Sequence, residues 1–126
     1  AVPLIVADHP SHEQVLRQVA KRSLGLAGHA AFETYSVLTR LPAPARRSPA
    51  TVSRVIGLNF PETRFLPADE HVQLLTQLAE LGIAGGSVYD ALVGMTAAHH
   101  SLALATRDER ALPTYRRLGV TLVELW

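Results

Sequence analysis

Residues 101–125 read SLALATRDERALPTYRRLGVTLVEL, and this stretch decides the fold. The run 102–106 (LALAT) is short and apolar up to a terminal hydroxyl, which suits a strand buried on both faces. Residues 108–118 follow in a helical pattern, Gly119 stops them, and 120–125 (VTLVEL) is a second strand. A strand, a helix and another strand in succession imply a crossover connection and parallel pairing.

Upstream, helices dominate. Residues 87–100 form one, preceded by the break Gly85-Gly86, and 68–82 form another with Val72, Leu75, Leu78 and Ala79 on one stripe. The segment 63–66 (TRFL) is a strand candidate. Ser48-Pro49 caps and opens a helix through about Leu58, after the proline-rich loop PAPARRSP. A helix over 29–41 ends at Pro42, Gly25 and Gly28 bracket a short apolar piece, and Ser11 caps a helix over 12–22 carrying Val15, Leu16 and Val19. The expected fold class is therefore α/β, a small parallel sheet of three or four strands flanked on both sides by six or seven helices, in a single domain spanning 1–126.

Composition agrees with one well-filled domain. The 126 residues are 48% apolar and 18% charged, with a mean hydropathy of +0.14, which excludes intrinsic disorder. Twelve basic residues against eleven acidic leave +1, too little for a tail-type nucleic-acid binder but compatible with a local basic patch. The absence of cysteine excludes disulfides, thiolate zinc sites and a cysteine nucleophile, and fits a reducing compartment. The longest apolar run, 1–7 (AVPLIVA), is far below the ~18 residues of a membrane span and has no basic lead-in. A soluble, cytoplasmic protein with no membrane partner is expected.

Three carboxylates stand out. Glu33 shares a stripe with Ala30, Val37 and Leu41, which places it on a mostly buried face or at that face's edge. Asp90 lies three residues after Ser87, as in a capping box, yet shares its own face with Val93, Gly94 and Ala97 and so points inward. Asp108 leaves the carboxyl end of the buried strand, where ligand sites of open α/β sheets form, and it also suits a helix N-cap. Thr106 puts a hydroxyl at the same strand end. Carboxylates that converge repel one another unless a cation joins them, and an all-oxygen set selects Mg²⁺ or Mn²⁺.

The segments HAAFETYSVLTRLP (29–42), SVYDALVGMTAA (87–98) and ALATRDERAL (103–112) carry a family resemblance. In their order, spacing and context the chain resembles a PIN domain, and within that family a VapC-type toxin of a bacterial toxin–antitoxin pair. The resemblance covers nearly the whole chain. It implies a parallel sheet holding acidic residues that bind Mg²⁺ or Mn²⁺ and cleave RNA. By motif, Glu33 matches the family's helix glutamate, Asp90 its helix aspartate, and Asp108 with Thr106 its T-x-D. Asp90, Asp108 and Glu33 are then the metal ligands, with Glu33 as ligand or as the group that orients water, and Thr106 joins the catalytic set. The implied chemistry is metal-assisted phosphodiester hydrolysis, in which a metal-bound water attacks in line and leaves a 5′-phosphate. The family's first aspartate sits in a D-x-S or D-x-N strand end; that motif is absent here, and the first strand with its aspartate is expected upstream of Ala1. Asp8 is no substitute. The resemblance further implies an RNA substrate, a cognate antitoxin and a homodimer, with Leu26, Phe32, Tyr35 and the helix after Ser48 as interface. The alternative is a catalytically incomplete module that binds antitoxin or RNA without cutting.

Other features are less specific. Arg46, Arg47 and Arg107 are candidate RNA contacts, as are Arg116 and Arg117, against a reading as solvated surface arginine. His29, one turn before Glu33, can approach the site. His9, His12 and Glu13 read as a surface turn rather than a zinc cluster, and His99 and His100 diverge on their helix. Setting the three carboxylates aside leaves twelve basic against eight acidic residues, or +4.

Overall fold

The computed structural model describes residues 9–125, so the apolar run 1–7 and Asp8 lie outside the described residues. The described chain divides into two compact units, one of 9–26 and 30–63, the other of 27–29 and 64–125.

In the first unit, α1 (His12–Val19) buries Val15 and Val19. It stops short of Arg22 because Ala20, Lys21 and Arg22 are exposed and offer nothing to pack. Ser11 precedes it without a side-chain cap; its backbone N–H donates instead to His9 Nδ1 at 3.1 Å. In α2 (His29–Arg40), which belongs to this unit from Ala30 onward, the buried line is Thr34 and Leu38, and the Thr34 hydroxyl donates to the Ala30 carbonyl at 2.7 Å. Helix α3 (Pro49–Asn59) begins as expected, with the Ser48 hydroxyl accepting from Thr51 N–H at 3.2 Å. Here the segments around Leu24 and Glu62 run side by side, with Glu62 N–H donating to the Leu24 carbonyl at 3.0 Å. A Cβ at Gly25 would lie 2.2 Å from the Glu62 carbonyl oxygen, so only glycine permits that approach. Leu26 is buried rather than exposed.

The second unit holds the sheet. Strands β1 (Leu104–Thr106) and β2 (Leu122–Glu124) pair in parallel with Leu104 opposite Leu122 and Thr106 opposite Glu124. Ala27 and Arg64 make one isolated parallel bridge. The strand expected at 63–66 is only this bridge, because Pro61 and Pro67 on either side lack the N–H groups a ladder needs. Strand β1 is also shorter than expected: Leu102, Ala103 and Ala105 are exposed, so it is not covered on both faces.

Helix α4 (Ala68–Leu81) buries Leu74 and Leu78. The expected stripe is thus displaced: Val72 and Leu75 are 67% and 68% exposed, and Ala79 is exposed as well. The helix carries two apolar lines, and the one that wins, Leu74–Leu78–Leu81, packs with Leu66, Ile83 and Ala91. Helix α5 (Ser87–His99) buries Ala91, Val93, Gly94, Thr96 and Ala97. The helix expected over 108–118 is a 3₁₀ turn (Glu109–Ala111) followed by α6 (Leu112–Arg117). Pro113 accounts for the break, since it fits only the first turn of a new helix. A Cβ at Gly94 would come within 2.9 Å of the Tyr115 ring and 3.1 Å of Val120, so α5 and α6 meet through a residue without a side chain. Ala111, Tyr115 and Val120 form the core beneath β1 and β2, joined by Leu104, Leu118 and Leu122.

The architecture is α/β, with a small parallel sheet and, among the described residues, six α-helices. Among the described residues no helix is long and apolar enough to cross a membrane.

Candidate metal centre

Strand β1 ends in Thr106, whose side chain is buried. Its hydroxyl oxygen accepts the backbone N–H of Asp108 at 3.0 Å, which turns the chain out of the sheet. Asp108 is the N-cap of the 3₁₀ turn, and its Oδ1 accepts the Arg110 N–H at 3.0 Å. The N-cap role and the strand-end position expected for Asp108 therefore coexist in one residue.

The Arg110 side chain completes the arrangement. Its Nε donates to Asp108 Oδ1 at 3.2 Å and its Nη2 to Oδ2 at 2.9 Å, a two-pronged guanidinium–carboxylate pair. The Arg110 side chain is 87% exposed and that of Asp108 39%. Those hydrogen bonds from the guanidinium hold the Asp108 carboxyl below its ordinary range, against a smaller opposing effect of burial. Arg110 is raised in turn, first by its hydrogen bonds to Asp108, then by that residue's charge, with the charge of Asp90 adding to both. Asp90 is half-buried in the first turn of α5, and the residues on its own face, Val93, Gly94 and Ala97, are buried as expected. The N-cap is Gly86 and Ser87 is already the first helical residue, so Ser87 and Asp90 do not hold the N-cap and N3 positions of a capping box. Asp108 therefore pairs directly with Arg110, and Asp90 adds only a lesser electrostatic attraction to it.

Glu33 belongs to the first unit. It is exposed, so of the two placements open to it the buried face does not hold, because the buried line of α2 runs through Thr34 and Leu38 and Glu33 lies about 100° away from the former. Arg107 Nε donates to the Leu125 carbonyl at 3.2 Å. Arg46 and Arg47 fold back on their own loop, donating to the Leu41 and Ala45 carbonyls at 2.8 and 2.7 Å. Arg116 pairs with Glu124 at 2.9 Å, and Arg117 donates to the Leu81 carbonyl. Arg110 escaped the sequence reading. Its signal was the D-x-R spacing at a cap, where a side chain two residues on can fold back onto the capping carboxylate.

The scan for protein families matches the PIN domain over residues 1–118. The chain belongs to the PIN-domain family. This PIN domain is 45% identical to Ribonuclease VapC27 of Mycobacterium tuberculosis over 123 residues, covering 98% of the chain and 90% of that protein. It is 44% identical to Ribonuclease VapC40 of the same species over 114 residues, covering 89% of the chain and 84% of that relative. No solved structure matches it significantly.

The donor chemistry of this PIN domain fits a hard divalent cation. Asp90, Asp108 and Thr106 offer oxygen alone, the donor type that Mg²⁺ and Mn²⁺ select, and Asp108 already holds a positive charge, the Arg110 guanidinium. Among the described residues, no group of three or more His, Asp or Glu is gathered closely enough to hold a metal ion.

Proposed function

We propose that this chain is a divalent-metal-dependent endoribonuclease toxin, a single PIN domain held inactive by a cognate antitoxin. The observation that carries this reading is the 45% identity to Ribonuclease VapC27 across 98% of the chain. The carboxylate of Asp108 at the end of β1, already paired with the Arg110 cation, supports it chemically.

In this reading Asp108 and Asp90 hold Mg²⁺ or Mn²⁺, and Glu33 joins the acidic set on the motif it shares with the family. A bound divalent ion supplies activation of a water and neutralisation of charge at the phosphodiester. Thr106 positions Asp108 through its backbone N–H. Arg110 lowers the affinity of Asp108 for protons, which favours its ionised form. Arg107, exposed beside Asp108, is a phosphate contact, with Arg46 and Arg47 as further ones; a guanidinium has five N–H donors, so one bond to a carbonyl leaves others for RNA. Exposed Phe32 and Tyr35 belong to a homodimer interface, and the site of action is the cytoplasm.

The test is cleavage of RNA by the purified chain with Mg²⁺ or Mn²⁺ and with chelator. Asp108→Asn and Asp90→Asn should each lower cleavage about 100-fold or more while circular dichroism stays unchanged, and co-expressed antitoxin should abolish toxicity. Metal-independent cleavage, or full activity in both variants, would refute the proposal. RNA or antitoxin binding without any cleavage would replace it with the non-cutting module.

A further inference from the structure

Tyr89 directly precedes Asp90 in the first turn of α5, and it is 53% exposed. The ring of His29 lies against it, with centroids 4.8 Å apart and planes inclined by only 17°. Both rings rise from anchored backbone. Gly28 N–H, one residue before His29, donates to the Arg64 carbonyl at 2.7 Å, and Tyr89 N–H donates to the Gly86 carbonyl at 3.2 Å. His29 covers one face of Tyr89, and the residue as a whole is still 53% exposed. An aromatic ring fixed in this way is a preorganised surface for another flat group, because little freedom remains to be lost on stacking. Its position narrows the choice of that group. Asp90 is the next residue in the chain, Arg110 lies within the field of Asp90, and a single RNA strand is read chiefly by stacking of unpaired bases on aromatic side chains.

We propose that His29 and Tyr89 form a nucleobase platform, the open face of Tyr89 receiving a base of the RNA strand next to the phosphate attacked beside Asp90. The proposal rests on the ribonuclease reading above and adds a binding subsite to it. Stacking of this kind tolerates any base, so the platform contributes grip and strand position rather than sequence choice. His29 acts as a positioning residue: it backs the tyrosine ring and holds its plane.

The experiment uses the full chain with Ca²⁺ in place of Mg²⁺ and a single-stranded RNA containing 2-aminopurine, whose fluorescence is quenched by stacking. Wild type and Tyr89→Phe should bind with affinities within about twofold of each other and quench alike, since the ring and not its hydroxyl is used. Tyr89→Ala and Tyr89→Leu should bind about tenfold more weakly and lose the quenching. His29→Ala should lose part of the quenching and His29→Phe should restore it. Unchanged RNA affinity in Tyr89→Ala overturns the platform, as does equal loss in Tyr89→Phe and Tyr89→Ala. A thermal unfolding midpoint that falls in Tyr89→Ala with RNA affinity intact also overturns it, leaving the pair a packing contact. Failure of the ribonuclease reading shows separately, as RNA that the wild-type chain leaves uncut in Mg²⁺ although the quenching assay reports binding.

Discussion

The guanidinium of Arg110 takes both carboxylate oxygens of Asp108, through Nε at 3.2 Å and Nη2 at 2.9 Å, while Asp90 contributes to the same field. A cation two residues away in sequence thus occupies the carboxylate that, on the proposed function, would hold the metal. The pair is exposed, and exposed pairs are weak and screened by salt, so a divalent ion can displace the arginine. Arg110→Gln should therefore bind Mn²⁺ more tightly than wild type, by about threefold at low salt, with the difference shrinking as salt rises. Isothermal titration calorimetry at two ionic strengths checks this; weaker binding in the variant would mean that Arg110 assists the metal rather than competing with it.

The same pair sets a pH dependence. The folded-state pKa of Asp108 lies below its ordinary value of 3.8, so the stabilisation from this group is complete above that value. It is lost as pH falls through the lower folded value. In Arg110→Gln the carboxyl should titrate higher, close to its ordinary value, and the acid limb of the stability curve should begin at higher pH. NMR titration of the Asp108 side chain in the two proteins measures the shift. An unchanged titration would show that the turn's backbone N–H groups, not the guanidinium, hold the carboxylate.

Thr106 links the strand to the site. Its buried hydroxyl accepts the Asp108 N–H at 3.0 Å, and valine would leave that donor without its acceptor. Thr106→Val should cost about 1 kcal/mol of stability and lower RNA cleavage more than Thr106→Ser does. Urea unfolding and initial cleavage rates, measured side by side, separate the two effects.

At Gly94 two opposing effects can be compared. Alanine gains about 1 kcal/mol of helix propensity over glycine, but its Cβ would lie 2.9 Å from the buried Tyr115 ring and 3.1 Å from Val120. Neither is the loose end of a flexible side chain, and overpacking of this kind costs about 1–3 kcal/mol. Gly94→Ala should come out less stable, with a thermal midpoint a few degrees lower by calorimetry; an unchanged or raised midpoint would mean that α5 and α6 separate at little cost.

Local signals were legible wherever the physics is local. The N-cap at Ser48, the α2 boundary before Pro42, the parallel pairing of the two terminal strands and the turn at Asp108 all appear where short-range patterns place them. The misreadings arose where a choice depended on distant partners. Helix α4 has two apolar lines, and only Leu66, Ile83 and Ala91 select the line through Leu74 and Leu78. The strand candidate at 63–66 had β-forming residues but no neighbour able to extend a ladder past the prolines.

The amino-acid sequence alone determined the chemistry on offer: carboxylates and hydroxyls without a thiol, an aspartate with a hydroxyl two residues before it at a strand end, and three segments that resemble the PIN family. Chain order and residue type are sufficient for those. Tertiary structure alone decided which helix faces are buried and which distant side chains meet: that Glu33 lies off the buried line of its helix, and that His29 stacks on Tyr89 across about sixty residues of chain. Such meetings depend on how helices and strands pack, and packing is a property of the whole assembled core rather than of any short stretch within it.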